Sequence, residues 1–230
     1  MRIAGRTISM LAAAGGTAII VISAGVPRIT ARAALPFLSW TVRIKDASLA
    51  LVEVEGRVSG VIDGTFTFVV PEAESGREFE PLGLAAFDRC GRTLAVDATG
   101  ERWVVATRRS DFSIRYETVL TIEDRYTPEI RGMFSHIGGQ RSRLMGRDFL
   151  LLPRGDVAPG IIVDVDFHPG SAVASAWESV GGRVVVPRAH DLPVTFIAAG
   201  GYRFYSETVA GVRIVLALGG TWRFEDRELL

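Results

Sequence analysis

A single cysteine, Cys90, stands in 230 residues, so no disulfide can form within the chain and core packing must hold the fold by itself. Lysine is almost missing: Lys45 is alone among 26 basic residues, the rest being arginine. Only three histidines occur, His136, His168 and His190. None has a partner at zinc-motif spacing, and the H-E-x-x-H signature is absent. There is no G-x-S-x-G elbow, which excludes the strand-to-helix serine nucleophile of that type. The glycine pairs at 15–16, 138–139, 181–182, 200–201 and 219–220 lack the G-K-[ST] ending of a phosphate loop. Neither sign of charge is in excess: 26 basic groups face 26 acidic ones, and no basic patch stands out. Nucleic acid is therefore not an expected partner.

What is present points to strands. The chain is 48% hydrophobic, enough for a sizeable core, and carries 25 Gly and 10 Pro, many of them clustered as turn signals. The most regular stretch covers residues 98–123. Phe112, Ile114, Tyr116, Thr118, Leu120 and Ile122 share one parity. Ser113, Arg115, Glu117, Thr121 and Glu123 share the other, broken only by Val119. That is the period-2 pattern of a half-buried strand. Residues 102–108 predict a second strand with Trp103 and Val105, and Arg109-Ser110-Asp111 the turn of a hairpin. Trp103, Phe112, Ile114, Tyr116, Leu120 and Ile122 are the expected core of this pair.

Residues 1–33 have the form of a targeting segment. Arg2 and Arg6 give a basic start, residues 8–26 carry no charge, and Ala31-Arg32-Ala33 offers an A-x-A cleavage site. The apolar run is longer than a usual signal core and can just span a bilayer, so an uncleaved membrane anchor through residues 8–26 is the other reading. Both readings expect an apolar N-terminal helix. Both place the folded part outside the cytoplasm, exported to a periplasmic or extracellular location.

Residues 40–58 predict a strand with one wet face, from Val52, Val54 and Val58 alternating with Glu53, Glu55 and Arg57. Asp63-Gly64 is a hairpin turn signal, with a returning strand over 65–70. Residues 72–80 form an acidic loop, and Cys90-Gly91-Arg92 a turn. Residues 124–143, punctuated by Pro128, Gly132 and Gly138-Gly139, read as a long loop. Short strands follow at 149–152, 161–167, 183–186, 194–198, 202–208 and 212–218. Their spacing of roughly ten residues predicts an all-β fold, a β-sandwich of short antiparallel strands over 40–225. Residues 226–230 resemble the first turn of a helix that Asp226 would cap and the chain does not complete.

Three places deserve a chemical reading. On a strand, Asp164, Asp166 and His168 point to one face, about 7 Å between neighbours, and are candidate metal ligands. The structural alternative is the wet face of an outer strand with Val165 and Phe167 inward, and it is preferred because any period-2 strand produces such a row. His190-Asp191 before Leu192-Pro193 is an ordinary turn rather than half of a catalytic triad. Cys90 lies between Arg89 and Arg92, a setting that can activate a thiol, yet a small residue filling a turn is the simpler role. No catalytic constellation emerges.

Several segments together resemble a known family. They are FTFVVP at 66–71, FDRCGRTLAVDATGERWVV at 87–105, with Asp88, Gly91 and Leu94 as an Asp-x-x-Gly-x-x-Leu turn, and the Tyr-bearing FSIRYETVLT at 112–121. GRDFLLLP at 146–153, Leu192-Pro193, Gly200-Gly201 and VRIVLALGG at 212–220 follow in the same order. This pattern resembles the N-terminal β domain of the glycyl aminopeptidase family of zinc metallopeptidases. The resemblance implies a β-sandwich saddle preceding a thermolysin-like catalytic domain, whose H-E-x-x-H helix and downstream Glu bind zinc. None of those residues occurs here, so no catalytic, cofactor or metal role carries over. The loop after Pro71 also departs from the family's aromatic and Pro-Gly-x-Tyr turn, having Glu72-Ala73-Glu74-Ser75-Gly76-Arg77 instead. The expectation is a non-catalytic domain that supports or docks a catalytic domain or partner chain near Trp222, Phe224, Leu229 and Leu230. The alternative is an exported cell-envelope β-sandwich binding module with no peptidase link, using the 72–80 or 124–143 loop.

Overall fold

A computed structural model describes residues 10–13, 16–24, 35–60, 64–71, 79–107, 111–120, 135–138, 140–167 and 172–220. Strand is almost the only regular structure among them. In chain order these are β1 Met10–Ala13, β2 Gly16–Ala24, β3 Phe37–Asp46, β4 Leu51–Ser59 and β5 Gly64–Val69. Next come β6 Leu82–Asp88, β7 Thr93–Leu94, β8 Val96–Thr99, β9 Arg102–Thr107 and β10 Phe112–Val119. Then follow β11 His136–Ile137, β12 Arg141–Met145, β13 Leu152–Pro153, β14 Ile161–Asp166 and β15 Val173–Ser175. The last are β16 Glu178–Val180, β17 Arg183–Val186, β18 Phe196–Gly200, β19 Arg203–Val209 and β20 Val212–Gly220. Two single 3₁₀ turns, Gly146–Asp148 and Ala189–Asp191, interrupt them.

An eight-stranded sheet in the order β16-β17-β14-β3-β4-β10-β6-β7 is the largest unit. Three four-stranded sheets accompany it: β13-β5-β9-β8, β11-β12-β18-β15 and β1-β2-β20-β19. β10 sits inside the large sheet because it has strand partners on both sides and one apolar face. β4 pairs with it from Phe112↔Val58 to Val119↔Leu51, and β6 from Phe112↔Asp88 with a bulge between Arg115 and Glu117. Phe112, Ile114, Tyr116 and Leu120 are buried, as the alternation predicts, while Trp103 is half-buried. Ile122 lies outside the described residues.

The inner face of the large sheet meets the β13-β5-β9-β8 sheet through aromatic rings. Trp40 on β3 makes edge contacts with Phe68 on β5 (5.9 Å between centroids) and with Tyr116 on β10 (6.2 Å). Phe66 and Phe68 both meet Phe112, at 5.7 and 6.4 Å. Such offset and edge geometries add to what area burial alone contributes.

These contacts overturn two expected hairpins. β9 pairs with β5 and β8, whereas β10 pairs with β4 and β6, so 102–108 and 112–123 are not a hairpin. β4 and β5, on either side of Asp63-Gly64, likewise do not pair. Each short polar link carries the chain from one sheet to the other, because the apolar faces of the two sheets must cover each other. Conversely, residues 40–58 are two strands. A turn over 47–50 separates β3 from β4, held by the Asp46 carboxylate, which accepts hydrogen bonds from Ser48 N (2.8 Å), Ser48 Oγ (2.6 Å) and Leu49 N (3.3 Å). The sheets are antiparallel apart from one parallel pair among the described strands, β14 beside β3.

The expected N-terminal helix is also corrected. Residues 10–13 and 16–24 are strands, and β2 pairs along β20 from Gly16↔Gly220 to Ala24↔Val212. The β-branched run Ile19-Ile20-Val21-Ile22 suits a strand better than a helix. No helix among the described residues is long and apolar enough to cross a membrane. The expected long loop at 124–143 contains β11 and the start of β12 at its end. Residue 149 opens no strand: it follows a 3₁₀ turn, and only Leu152–Pro153 pair. The helix start at 226–230 and the patch at Trp222, Phe224, Leu229 and Leu230 lie outside the described residues.

Gly56 shows how closely the core is packed. It sits opposite Trp40 across the β3–β4 pair, and a Cβ placed there would lie 2.5 Å from the indole ring. Gly56→Ala is expected to cost about 1–3 kcal/mol in a urea titration, since Trp40 has no room to yield. Combining it with Trp40→Phe should cost less than the sum of the two single changes. An unchanged midpoint for Gly56→Ala would show that the ring does not cover this position.

Candidate functional site

The row proposed for metal binding is shaped by the alternation of β14. Ile161, Val163 and Val165 are buried, which turns Asp164 and Asp166 to the other face. Both carboxylates have basic partners there. Arg183 donates to Asp164 through Nε at 2.9 Å, and Arg43 Nε lies 3.6 Å from Asp166. His168 lies outside the described residues. Arg43 also reaches Glu53 and Glu55, each at 3.5 Å, and Lys45 pairs with Glu117. Glu55 is the most enclosed member, with Arg57 at 2.9 Å and Arg115 at 3.8 Å. Burial alone would raise its carboxyl, but the hydrogen bonds and charges of Arg57, Arg43 and Arg115 outweigh this and hold it below the usual range. This face is therefore a self-neutralising lattice of ion pairs. Among the described residues no three His, Cys, Asp or Glu side chains gather as a metal cage.

Cys90 is exposed and belongs to the β6–β7 turn. Asp88 organises that turn from a buried position. Its carboxylate accepts from Cys90 N (2.8 Å), Arg92 N (3.1 Å) and Arg92 Nε (3.0 Å). Gly91, at φ 78°, donates its N–H to the Asp88 carbonyl at 2.9 Å. The Asp-x-x-Gly-x-x-Leu spacing thus closes a turn, with Leu94 paired to Ala86.

Two of the segments that carried the resemblance, FSIRYETVLT and GRDFLLLP, meet at Tyr116. Its phenol donates to the Phe149 carbonyl at 2.7 Å and accepts from Leu151 N at 3.2 Å. Phe149, Leu150 and Leu151 are fully buried. Burial pushes the Tyr116 hydroxyl far up, so it remains a neutral donor. Just before, Gly146 donates to the Thr195 carbonyl at 2.8 Å and Arg147 to the Pro193 carbonyl at 3.1 Å. A Cβ at Gly146 would overlap the Leu192 carbonyl. Asp148 accepts from Ser135 N at 2.7 Å. FSIRYETVLT, GRDFLLLP and the Leu192-Pro193 segment are therefore one packed unit.

His190 and Asp191 occupy the second 3₁₀ turn. Asp191 is buried and accepts from Arg188 Nε at 3.2 Å, while His190 Nε2 lies 3.7 Å from its other oxygen. Thr195 Oγ donates to the Asp191 carbonyl at 2.8 Å and accepts from Trp177 Nε1 at 3.1 Å. The imidazole is 66% exposed, which is not the enclosed setting of a triad base. A cleft of about 430 Å3 opens beside this turn. Sequence reasoning dismissed the dipeptide as a turn and missed the cleft; Arg188 at three residues' spacing from Asp191 was the available signal. It also left His136 in a loop. That residue lies on β11 opposite Arg143, and partial burial followed by the Arg143 charge pushes its imidazole below the usual range.

No family model matches this sequence, and no curated protein matches it. Solved structures do. A protein of the aminopeptidase N family from Idiomarina loihiensis aligns at TM-score 0.65 and 14% identity, over 84% of this chain and 34% of its own. The fold is shared with an aminopeptidase N family protein. This chain spans about a third of that protein's length. Looser matches are an M1 zinc metallopeptidase from Deinococcus radiodurans (TM-score 0.42, 11% identity, 81% and 44% covered) and the leukotriene A4 hydrolase of Saccharomyces cerevisiae (0.38, 8%, 75% and 30%). Neither enters the argument. The likeness expected from the motifs is thus present at the level of the fold.

Two predictions follow from Tyr116 and Asp88. Tyr116→Phe leaves a buried carbonyl and a buried N–H without their shared partner. It is expected to cost about 1–3 kcal/mol by urea denaturation; a neutral result would mean the phenol is not the tie between β10 and 149–151. The Asp88 carboxyl is held low, first by the Arg92 backbone N–H. As pH falls the unfolded chain takes up this proton before the folded one does. The stabilisation is therefore full above about pH 4 and is lost as pH drops through the lower folded value. Asp88→Asn should be less stable than the parent at about pH 6, with the gap narrowing as pH falls below about 4. A gap that does not change with pH would contradict this.

Proposed function

We propose that this chain is an exported, non-catalytic β domain of the metallo-aminopeptidase type, a β-sandwich saddle that supports a catalytic domain supplied elsewhere on the same or another polypeptide. The observation that carries this reading is the joining of three motif segments, Tyr116 to 149–151 and Gly146-Arg147 to 193–195, within a fold shared with the Idiomarina protein. A saddle of this kind acts by presenting a rigid face. Zinc and the H-E-x-x-H helix belong to the catalytic partner, and the docking face is proposed to include Trp222, Phe224, Leu229 and Leu230. Export is proposed on the basic start at Arg2 and Arg6 and the A-x-A site at Ala31-Arg32-Ala33; cleavage there would remove β1 and β2 from the edge of β20.

The second reading is a stand-alone envelope binding module, and the cleft beside Arg188 favours it. Reading the gene past codon 230 separates the two: an in-frame H-E-x-x-H favours the first, an unrelated neighbour the second. The purified chain is expected to hold no stoichiometric zinc and to release no amino acid from peptide p-nitroanilides. Metal analysis and an aminopeptidase assay test this. One zinc per chain together with turnover would sink the non-catalytic reading.

A further inference from the structure

The cleft beside the second 3₁₀ turn has a composition suited to one kind of ligand. Its apolar part comes from Leu152, Pro153, Val157 and Pro159, and its polar rim from Asp156, Arg188 and His190. At about 430 Å3 it lies within the range of small-ligand sites. The Arg188 side chain is exposed but has one buried partner. The buried Asp191 carboxylate takes its Nε–H at 3.2 Å, and the Asp191 backbone carbonyl accepts from Thr195 Oγ1, which in turn accepts from Trp177. Such a supporting layer holds a recognition group in one orientation before the ligand arrives. The Nε bond leaves the terminal amino groups of the guanidinium, whose planar fork matches a carboxylate.

Charge decides which carboxylate fits. Asp191 neutralises Arg188, and Asp156 adds an exposed negative group on the same cleft. A bare anion gains little from a rim with no positive excess. A zwitterion would offer a carboxylate to Arg188, an ammonium to Asp156 and apolar side chains to Leu152 and Val157, all of which line the cleft.

We propose that this cleft binds short zwitterionic peptides with apolar side chains, reading the terminal carboxylate through Arg188 and the terminal ammonium through Asp156. The site stands on its own geometry and holds whether or not the domain serves a peptidase. Peptide binding by the full chain therefore fails or succeeds separately from the zinc and activity assays above.

The test is a titration of the isotope-labelled full chain with leucyl-leucine, followed by amide NMR shifts. Shifts are expected at residues 152–157 and 188–190, with saturation in the micromolar to low millimolar range. Amidating the carboxyl or acetylating the amine of the peptide should each weaken binding about tenfold or more. Arg188→Gln and Asp156→Asn should reproduce these two losses, and Val157→Trp should fill the cleft and abolish binding. The modified peptides keep the test independent of whether any variant folds. Inorganic phosphate should not compete. No shift at about 10 mM dipeptide, equal affinity for the amide, or tighter binding of phosphate than of peptide would each overturn the proposal.

Discussion

The Tyr116 hydroxyl is the constraint from which the rest of the architecture can be traced. It is one group making two bonds, as donor to Phe149 and acceptor from Leu151, in a place that water does not reach. A buried phenol with neither partner would be costly, so β10 and the 149–151 segment are obliged to meet. That meeting puts Gly146 and Arg147 against the carbonyls of Thr195 and Pro193. Those contacts place the 3₁₀ turn with Asp191, and so the rim of the cleft. A single aromatic side chain thereby links the centre of the large sheet to the cleft lined by Arg188 and His190.

The two faces of the large sheet solve different problems. Inward, Trp40, Phe112 and Tyr116 meet Phe66, Phe68 and Phe79, so the layer contact is dominated by rings in edge or tilted geometry. Outward, rows of opposite charge run across β17, β14, β3, β4 and β10, carboxylates facing an arginine of a neighbouring strand or, for Glu117, Lys45 two strands away. Cross-strand pairs of this kind each contribute little when exposed. Their value lies in keeping a broad sheet face wet and free of unpaired charge.

Much of this was legible from sequence, and the failures share a cause. β10, β14, β17 and β20 were visible because each carries an apolar pattern that depends only on its own residues. The sheet to which a strand belongs was not visible. A polar link such as Arg109-Ser110-Asp111 has the same local chemistry whether it closes a hairpin or turns a corner between layers. The choice is made by Phe66, Phe68 and Phe112, which come together only in three dimensions. The turn at Asp46-Ala47-Ser48 was missed because an Asx turn can interrupt an apolar run without Gly or Pro. At the candidate sites, Asp164 and Asp166 looked available because their partners, Arg183 and Arg43, are distant in sequence. The support behind Arg188 was hidden for the same reason, since it passes through Thr195 and Trp177.

The parallel pairing of β14 with β3 has a consequence in time. Ile162 lies beside Ser39, so the strand that completes this edge of β3 is made about 120 residues after it. At ribosomal speeds of 5–20 residues per second, that delay is roughly 6–25 s. During it the hairpin of β3 and β4 exists with one side of β3 unpaired and Trp40 uncovered by its later neighbours. An open, apolar strand edge is a template for other chains. A polypeptide built this way gains from being held extended until its last third has been made. Secretion through a channel as an unfolded chain, or shielding by a holdase, would meet that need, and the delay is written into the order of the strands rather than into any one residue.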